Sequence, residues 1–276
     1  MDHDQGVVAA LEQEAKGIRR AVVEMIAAAG SGHPGGGLSA VEIMTVLYFH
    51  ILRVDPARPN WEDRDRFVLS KGHGTAALYA ALGRRGFFPQ EAFRRFRQTG
   101  GILQGHPDMR KVPGVDISSG SLGQGLSAAL GMALAARYLN KSYHVYALLG
   151  DGENQEGQIW EAAMAAAYWK VDNLTAILDY NRVQLDGPVG EIMEVEPIAD
   201  KWCAFGWVTI DCPDGHSIPQ LLEAFSKARD VKGRPAIIIA HTVKGKGVSF
   251  MEHQAAWHGV SDPSRLPEAV KEVCRQ

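Results

Sequence analysis

The residues best suited to chemistry form a pair separated by one helix-length stretch. The apolar run "YHVYALLG" ends at Gly150, and Asp151 follows, held between Gly150 and Gly152. A second apolar run, "NLTAILDYN", ends 30 positions later at Asn181. If the two runs are neighbouring parallel strands they lie about 5 Å apart, and they bring a carboxylate and an amide oxygen together beyond the strands' carboxyl ends. Such a pair suits a hard cation such as Mg2+, which accepts one or two protein oxygens and completes its octahedron with phosphate oxygens and water. Gly150 and Gly152 let backbone N–H groups approach a phosphate closely, and the following helix turns its positive end the same way. The unit therefore predicts a metal–diphosphate site. Two common alternatives fail on spacing: a dinucleotide fingerprint needs glycine where Gln155 stands, and no GxxxxGKS or GxxxxGKT loop occurs.

A second set of polar residues sits in glycine-rich loops of the first half. "AAAGSGHPGGG" carries His33, "VLSKGHG" carries His73 and "GILQGHPD" carries His106. Helical patterns alternate with these loops: "LSAVEIMTVLYFHIL", "TAALYAALGRRG" and the Ala-rich "LSAALGMALAARYL". The small residues of the last predict a helix that a neighbouring element, in this chain or another subunit, approaches closely. In the second half, strands "YHVYALLG", "NLTAILDYN" and "PAIIIAHTV" alternate with helices "EGQIWEAAMAAAYWK" and "SIPQLLEAFSKARD". That alternation predicts an α/β fold, a parallel sheet flanked by helices on both faces, and one domain spanning residues 1–276.

Composition excludes several classes. A net charge of −3 with both signs interleaved gives no basic stripe for nucleic acid. No apolar stretch reaches bilayer length and the first residues lack a signal-peptide pattern, so a membrane location is disfavoured. Cys203, Cys212 and Cys274 have neither CxxC spacing nor even pairing, which suits reduced thiols in the cytoplasm.

Together "SGHPGGGLS", "LSKGHG", "GHPD", "SGSLGQG", "GDGENQEGQIWEA", "DYNRVQLDG", "DGHS" and "KGKGVSFMEHQAAWHG" run in the order found in transketolases. The chain resembles the amino-terminal, diphosphate-binding part of that family, over nearly its whole length. The resemblance implies the thiamine diphosphate-binding fold with thiamine diphosphate and Mg2+, or another divalent ion such as Ca2+ or Mn2+, as cofactors. It implies Asp151, Asn181 and the Val183 carbonyl as metal ligands, and Gly150 and Gly152 against the diphosphate. Gly120 and Leu122 would hold the cofactor's rings, and Glu156 would lie at a subunit interface. His73, Lys244 and His258 would surround the cofactor and the reacting carbons, while His33 and His106 would touch the donor's hydroxyls. Ser121 departs from the proline many full-length members carry there.

That chemistry explains the histidines: a ketose donor loses and regains hydroxyl protons during carbon–carbon cleavage, and imidazole titrates near neutrality. Four loop histidines, His33, His73, His106 and His258, are a sensible complement. His3, His50 and His144 read as non-catalytic, His216 as part of a turn and helix start, and His253 as a neighbour of the His258 motif. Trp160 and Trp169 read as helix packing, and "GRRGFFPQEAFRRFRQ" as a solvated helix face.

By the same resemblance the pyrimidine-binding and C-terminal domains are expected on a partner chain, which would supply the glutamate that activates the cofactor. The expected assembly is a heteromeric transketolase, an α2β2 heterotetramer, passing a two-carbon ketol unit from a ketose or sugar phosphate donor to an aldose. Rival readings are a carboligase using pyruvate or another specialised donor and the α subunit of a 2-oxo acid dehydrogenase. The latter shares GDG…N but lacks the "SGHP", "SKGH" and "GHPD" histidines. A non-catalytic scaffold would have lost metal or histidine positions, and none is lost.

Overall fold

A computed structural model describes residues 4–276. In chain order the elements are α1 (Gln5–Ala29), α2 (Pro34–Leu38), α3 (Val41–Val46), β1 (Arg66–Leu69), α4 (Thr75–Arg85), α5 (Gln124–Tyr138), β2 (Val145–Gly150) and α6 (Gly157–Tyr168). There follow β3 (Leu174–Tyr180), α7 (Val189–Ile192), α8 (Ile198–Ala204), β4 (Val208–Cys212), α9 (Ile218–Asp230), β5 (Ala236–His241) and α10 (Leu266–Val273).

The strands lie in the order β1-β2-β3-β5-β4, each parallel to its neighbours. β3 is buried throughout and β2 at all but its last residue, as central strands covered on both faces must be. Their side chains alternate between two apolar layers. Leu148 and Ile177 point to one with Ile18, Leu38, Leu78 and Phe225, whereas Leu149 and Leu178 point to the other with Leu126, Ile159 and Trp202.

α1 presents Leu11, Ala15, Ile18, Val22, Met25 and Ile26 to the first layer at helical spacing. Asp4 accepts the Gly6 amide at its start, and Gly30 closes its end in the left-handed conformation. Among the described residues no helix is long and apolar enough to cross a membrane. The three cysteines are unpaired, Cys212 buried and the others exposed.

Some local expectations hold and others change. The "HPGGG" stretch is helical, not loop: Pro34 starts α2, and its glycines let the turn press inward. A Cβ on Gly35 would lie 2.8 Å from the Trp257 carbonyl, and one on Gly36 3.0 Å from His73 Nε2. The Ala-rich α5 finds its close neighbours within the chain, against α6, β1 and β2. Trp160 packs against Trp202 and Phe205, but Trp169 is 56% exposed beside Tyr168. The basic aromatic stretch is only partly a solvated face, since Phe87, Phe88 and Phe96 are buried while Arg94 and Arg95 are exposed.

Candidate active site

The parallel register places Gly150 opposite Asp179, so the residues that follow β2 and β3 meet at the carboxyl edge of the sheet. The Asp151 carboxylate reaches across that gap: Oδ2 accepts the Arg182 amide, and Oδ1 accepts the Gly152 amide at 2.7 Å. Asn181 Oδ1 accepts the Val183 amide at 3.1 Å. The carboxylate and the 181–183 turn are thus joined, as the strand pairing requires. They border a cleft of about 230 Å³ whose lining includes Gly150, Asp151, Gly152, Asn181, Val183 and Lys244. Leu122, Glu156, His73 and His258 complete much of the remainder.

Gly120 lies beside this cleft, in a neighbouring hollow with Ser119 and Ser121. Its φ of +155° and the His106 ring, 3.1 Å from where a Cβ would sit, make any side chain there strained and crowded. A larger groove of about 500 Å³ runs past α1 and the C-terminal residues Cys274 and Gln276, and contains none of the expected residues.

Burial, and then the neighbouring charge of Asp179, push the Asp151 carboxyl up to about 6. A cation would relieve that excess negative charge. The donor set is all oxygen, one carboxylate, one amide oxygen and the Val183 carbonyl, and each retains an unused lone pair. The Val183 carbonyl already accepts a cationic group, the Lys244 ammonium, at 2.8 Å. These residues fit a hard divalent ion.

Sequence reasoning missed three buried groups behind the cleft. Lys71, from "LSKGHG", forms an ion pair with Asp179 and donates to the Gly36 carbonyl at 2.8 Å. Asp179 also accepts from Ser39 at 2.6 Å, from Thr242 and, at 3.4 Å, from Asn181. Glu153 ties three loops together by accepting from Ser70 and from the Gly123 and Gly150 amides, each amide at 2.9 Å. The available signal was Asp179 itself, the one charge inside the otherwise uncharged run "LTAILDY".

The four expected histidines converge. His33 is the hub, its ring centroid 5.6 Å from His73, 6.1 Å from His106 and 5.5 Å from His258. His73 and His258 are 4.9 Å apart. Burial lowers all four: His33 to about 4, His258 to about 3, His73 well below the usual range and His106 more mildly. Arg97, at a left-handed φ of 57°, adds to the lowering at His33 and His106. His33 Nδ1 is buried without a hydrogen-bond partner.

Lys244 is buried and donates to the Val183 and Gln184 carbonyls and to His258 Nδ1. The residue before it, Val243, is anchored by His216, which does more than sit in a turn. His216 donates through Nδ1 to Glu42 at 2.7 Å and accepts the Val243 amide on Nε2 at 2.8 Å, while Arg19 pairs with the same Glu42. The remaining histidines stay apart: His50 is exposed, His144 bonds Thr175, His241 bonds Asp211 and His253 is exposed in a left-handed turn. His3 lies outside the described residues.

Residues 11–268 match the family described as transketolase, thiamine diphosphate binding domain. The chain is 46% identical to the 6-deoxy-6-sulfo-D-fructose transketolase subunit SqwG of Clostridium sp. (strain MSTE9), over 91% of this chain and 90% of that one. It is 44% identical to an apulose-4-phosphate transketolase subunit of Phocaeicola vulgatus, over 96% of this chain and 94% of that one. The structure superposes on the transketolase of Campylobacter jejuni with a TM-score of 0.89 and 33% identity, covering 96% of this chain but 42% of that one. Against such solved structures the chain spans about two fifths of their length.

Proposed function

The chain belongs to the transketolase family through its thiamine diphosphate-binding domain, and from that membership we propose that it is the cofactor-binding subunit of a two-polypeptide transketolase. It forms one domain, and a partner subunit carries the pyrimidine-binding and C-terminal domains. The near-complete length match to relatives named as transketolase subunits supports this division. The observation that carries the reading is the Asp151 carboxylate bonded across the strand gap to the Asn181–Val183 turn, at the mouth of a cleft that also receives His73 and His258.

Asp151, Asn181 and the Val183 carbonyl hold Mg2+, and the Gly150–Gly152 turn receives the diphosphate. Thiamine diphosphate, when bound, supplies the nucleophilic carbon and electron sink that carbon–carbon cleavage beside a carbonyl demands. The protein's part is positional. Leu122 and Gly120 flank the rings, Glu156 faces the partner subunit, and Lys244 keeps a positive charge at the diphosphate end of the cleft. The lowered histidines are neutral at physiological pH, so His33, His73 and His106 can exchange or share protons with a ketose's hydroxyls without carrying fixed charge. The donor is a ketose or sugar phosphate, the acceptor an aldose, the assembly an α2β2 heterotetramer and the compartment the cytoplasm.

Mixing experiments test this. The purified chain should show no ketol transfer alone and should gain it, with thiamine diphosphate and Mg2+, on addition of the partner subunit. Robust transfer by the chain alone would refute the division of labour.

A further inference from the structure

We propose that Lys244 is a positioning residue that holds His258 as the neutral Nε2–H tautomer, so that His258 serves the cleft as a hydrogen-bond donor and not as a proton acceptor. An ammonium has three hydrogens and no lone pair. Lys244 Nζ lies 2.8 Å from the Val183 carbonyl, 3.0 Å from the Gln184 carbonyl and 3.0 Å from His258 Nδ1. Carbonyl oxygens only accept, so the first two contacts take one hydrogen each. The third hydrogen is directed at Nδ1, which must offer its lone pair, and the ring's own proton then resides on Nε2.

The rest of the site agrees. Nε2 has no hydrogen-bond partner among the described residues, and His258 lines the cleft, so this N–H is free for a ligand oxygen. Burial, and then Lys244, His33 and Lys71, disfavour an imidazolium. The Val183 carbonyl has two lone pairs and can keep the Lys244 bond while a second is engaged by a metal. His33 offers the contrast: its buried Nδ1 has no partner, and nothing among the described residues prescribes its tautomer.

The consequence is a division among the four histidines. A neutral imidazole with its acceptor nitrogen capped and a proton on the other can stabilise negative charge developing on an oxygen, but cannot take a hydroxyl proton. Proton acceptance then falls to His33, His73 or His106. Which ligand oxygen meets His258 rests on the proposed transketolase function; the tautomer does not.

Long-range 1H–15N correlation on the full chain labelled at histidine, with His258→Asn to identify the signals, reads the tautomer directly. At pH 7 His258 should show a proton-bearing Nε2 and a bare Nδ1, free and in the complex with the partner subunit. Lys244→Met should move both signals toward the averaged values of a mixed tautomer. A proton on Nδ1 in the unaltered chain would overturn the proposal, as would an unchanged pattern in Lys244→Met. Should that variant not fold, the unaltered spectrum decides alone. Thiamine diphosphate binding by the complex, measured separately, tests the functional reading without touching the tautomer.

Discussion

Asp179 and Asp151 occupy adjoining places at the sheet edge, both nearly inaccessible to water, yet the protein treats them in opposite ways. Burial alone would raise Asp179, but the Lys71 ammonium and donors from Ser39 and Thr242 outweigh it and hold the acid below its usual range. Asp151 receives two backbone amides and no side-chain donor, and it rises to about 6. In one low-dielectric setting, then, one carboxylate is completed by the chain and the other is left short of positive charge. A structural acid brings its counter-charge with it. A ligand-binding acid does not, and the deficit is what a divalent ion would fill.

The contrast breaks most visibly if Lys71 is removed. Lys71→Met leaves Asp179 buried and unpaired, and should lower the unfolding free energy by about 3–5 kcal/mol in urea titrations. A loss below about 1 kcal/mol would mean that Asp179 is not held as an ion pair. Asp151→Ala should behave in the reverse sense. In the complex it should weaken Mg2+-dependent thiamine diphosphate binding about 1,000-fold, or about 4 kcal/mol, by calorimetry. The cofactor-free variant should unfold at or above the parental urea midpoint, because a disfavoured charge has gone. Destabilisation equal to that of Lys71→Met would erase the distinction between the two acids.

The asymmetry also explains what could be read beforehand. Asp151 and Asn181 were legible because each ends an apolar run, and a polar residue at a strand's carboxyl end has a defined address in a parallel sheet. Central strands β2, β3 and β5 were legible for the same reason. β1, only Arg66–Leu69, was hidden in front of the "SKGHG" loop, and edge strand β4 carries half-exposed Val208 and Thr209 and exposed Asp211, so neither produced an apolar run. The completed network stayed invisible because its members, Ser39, Lys71, Asp179 and Thr242, come from four separate segments that only the folded topology assembles. His216 was read as a turn residue since the Asp214–Ser217 chemistry accounts for it locally, and its partners Glu42 and Val243 are distant in sequence.

A smaller effect follows from His144, which lies at the other end of β2 and has no part in the cleft. Burial lowers it from 6.5 to about 4. The unfolded chain takes up this proton near 6.5 and the folded chain not until about 4, so the unfolded state binds more protons in that window and stability rises with pH there. Acidification from neutrality to that lower limit should therefore remove on the order of 2–3 kcal/mol through His144. His33 and His258 act in the same direction. His144→Gln should flatten part of the slope in urea titrations run at several pH values; an unaltered slope would show that this buried imidazole is charged in the folded protein.

The smallest effect asks to which region Lys244 belongs. Its ammonium reaches the cleft, but Val243 before it is anchored to the completed interior through His216, Glu42 and Arg19. His216→Phe keeps the ring's bulk while leaving the Val243 amide without its acceptor and Glu42 with Arg19 alone. The loss should be about 1–2 kcal/mol of stability. If the anchor also sets the ammonium's position, thiamine diphosphate affinity in the complex should fall several-fold, well short of the Asp151→Ala effect, since every ligand to the metal remains. Equal stability loss with unchanged affinity would instead show that Lys244 is held from the cleft side, by the Val183 and Gln184 carbonyls, and that the interior network ends at Val243.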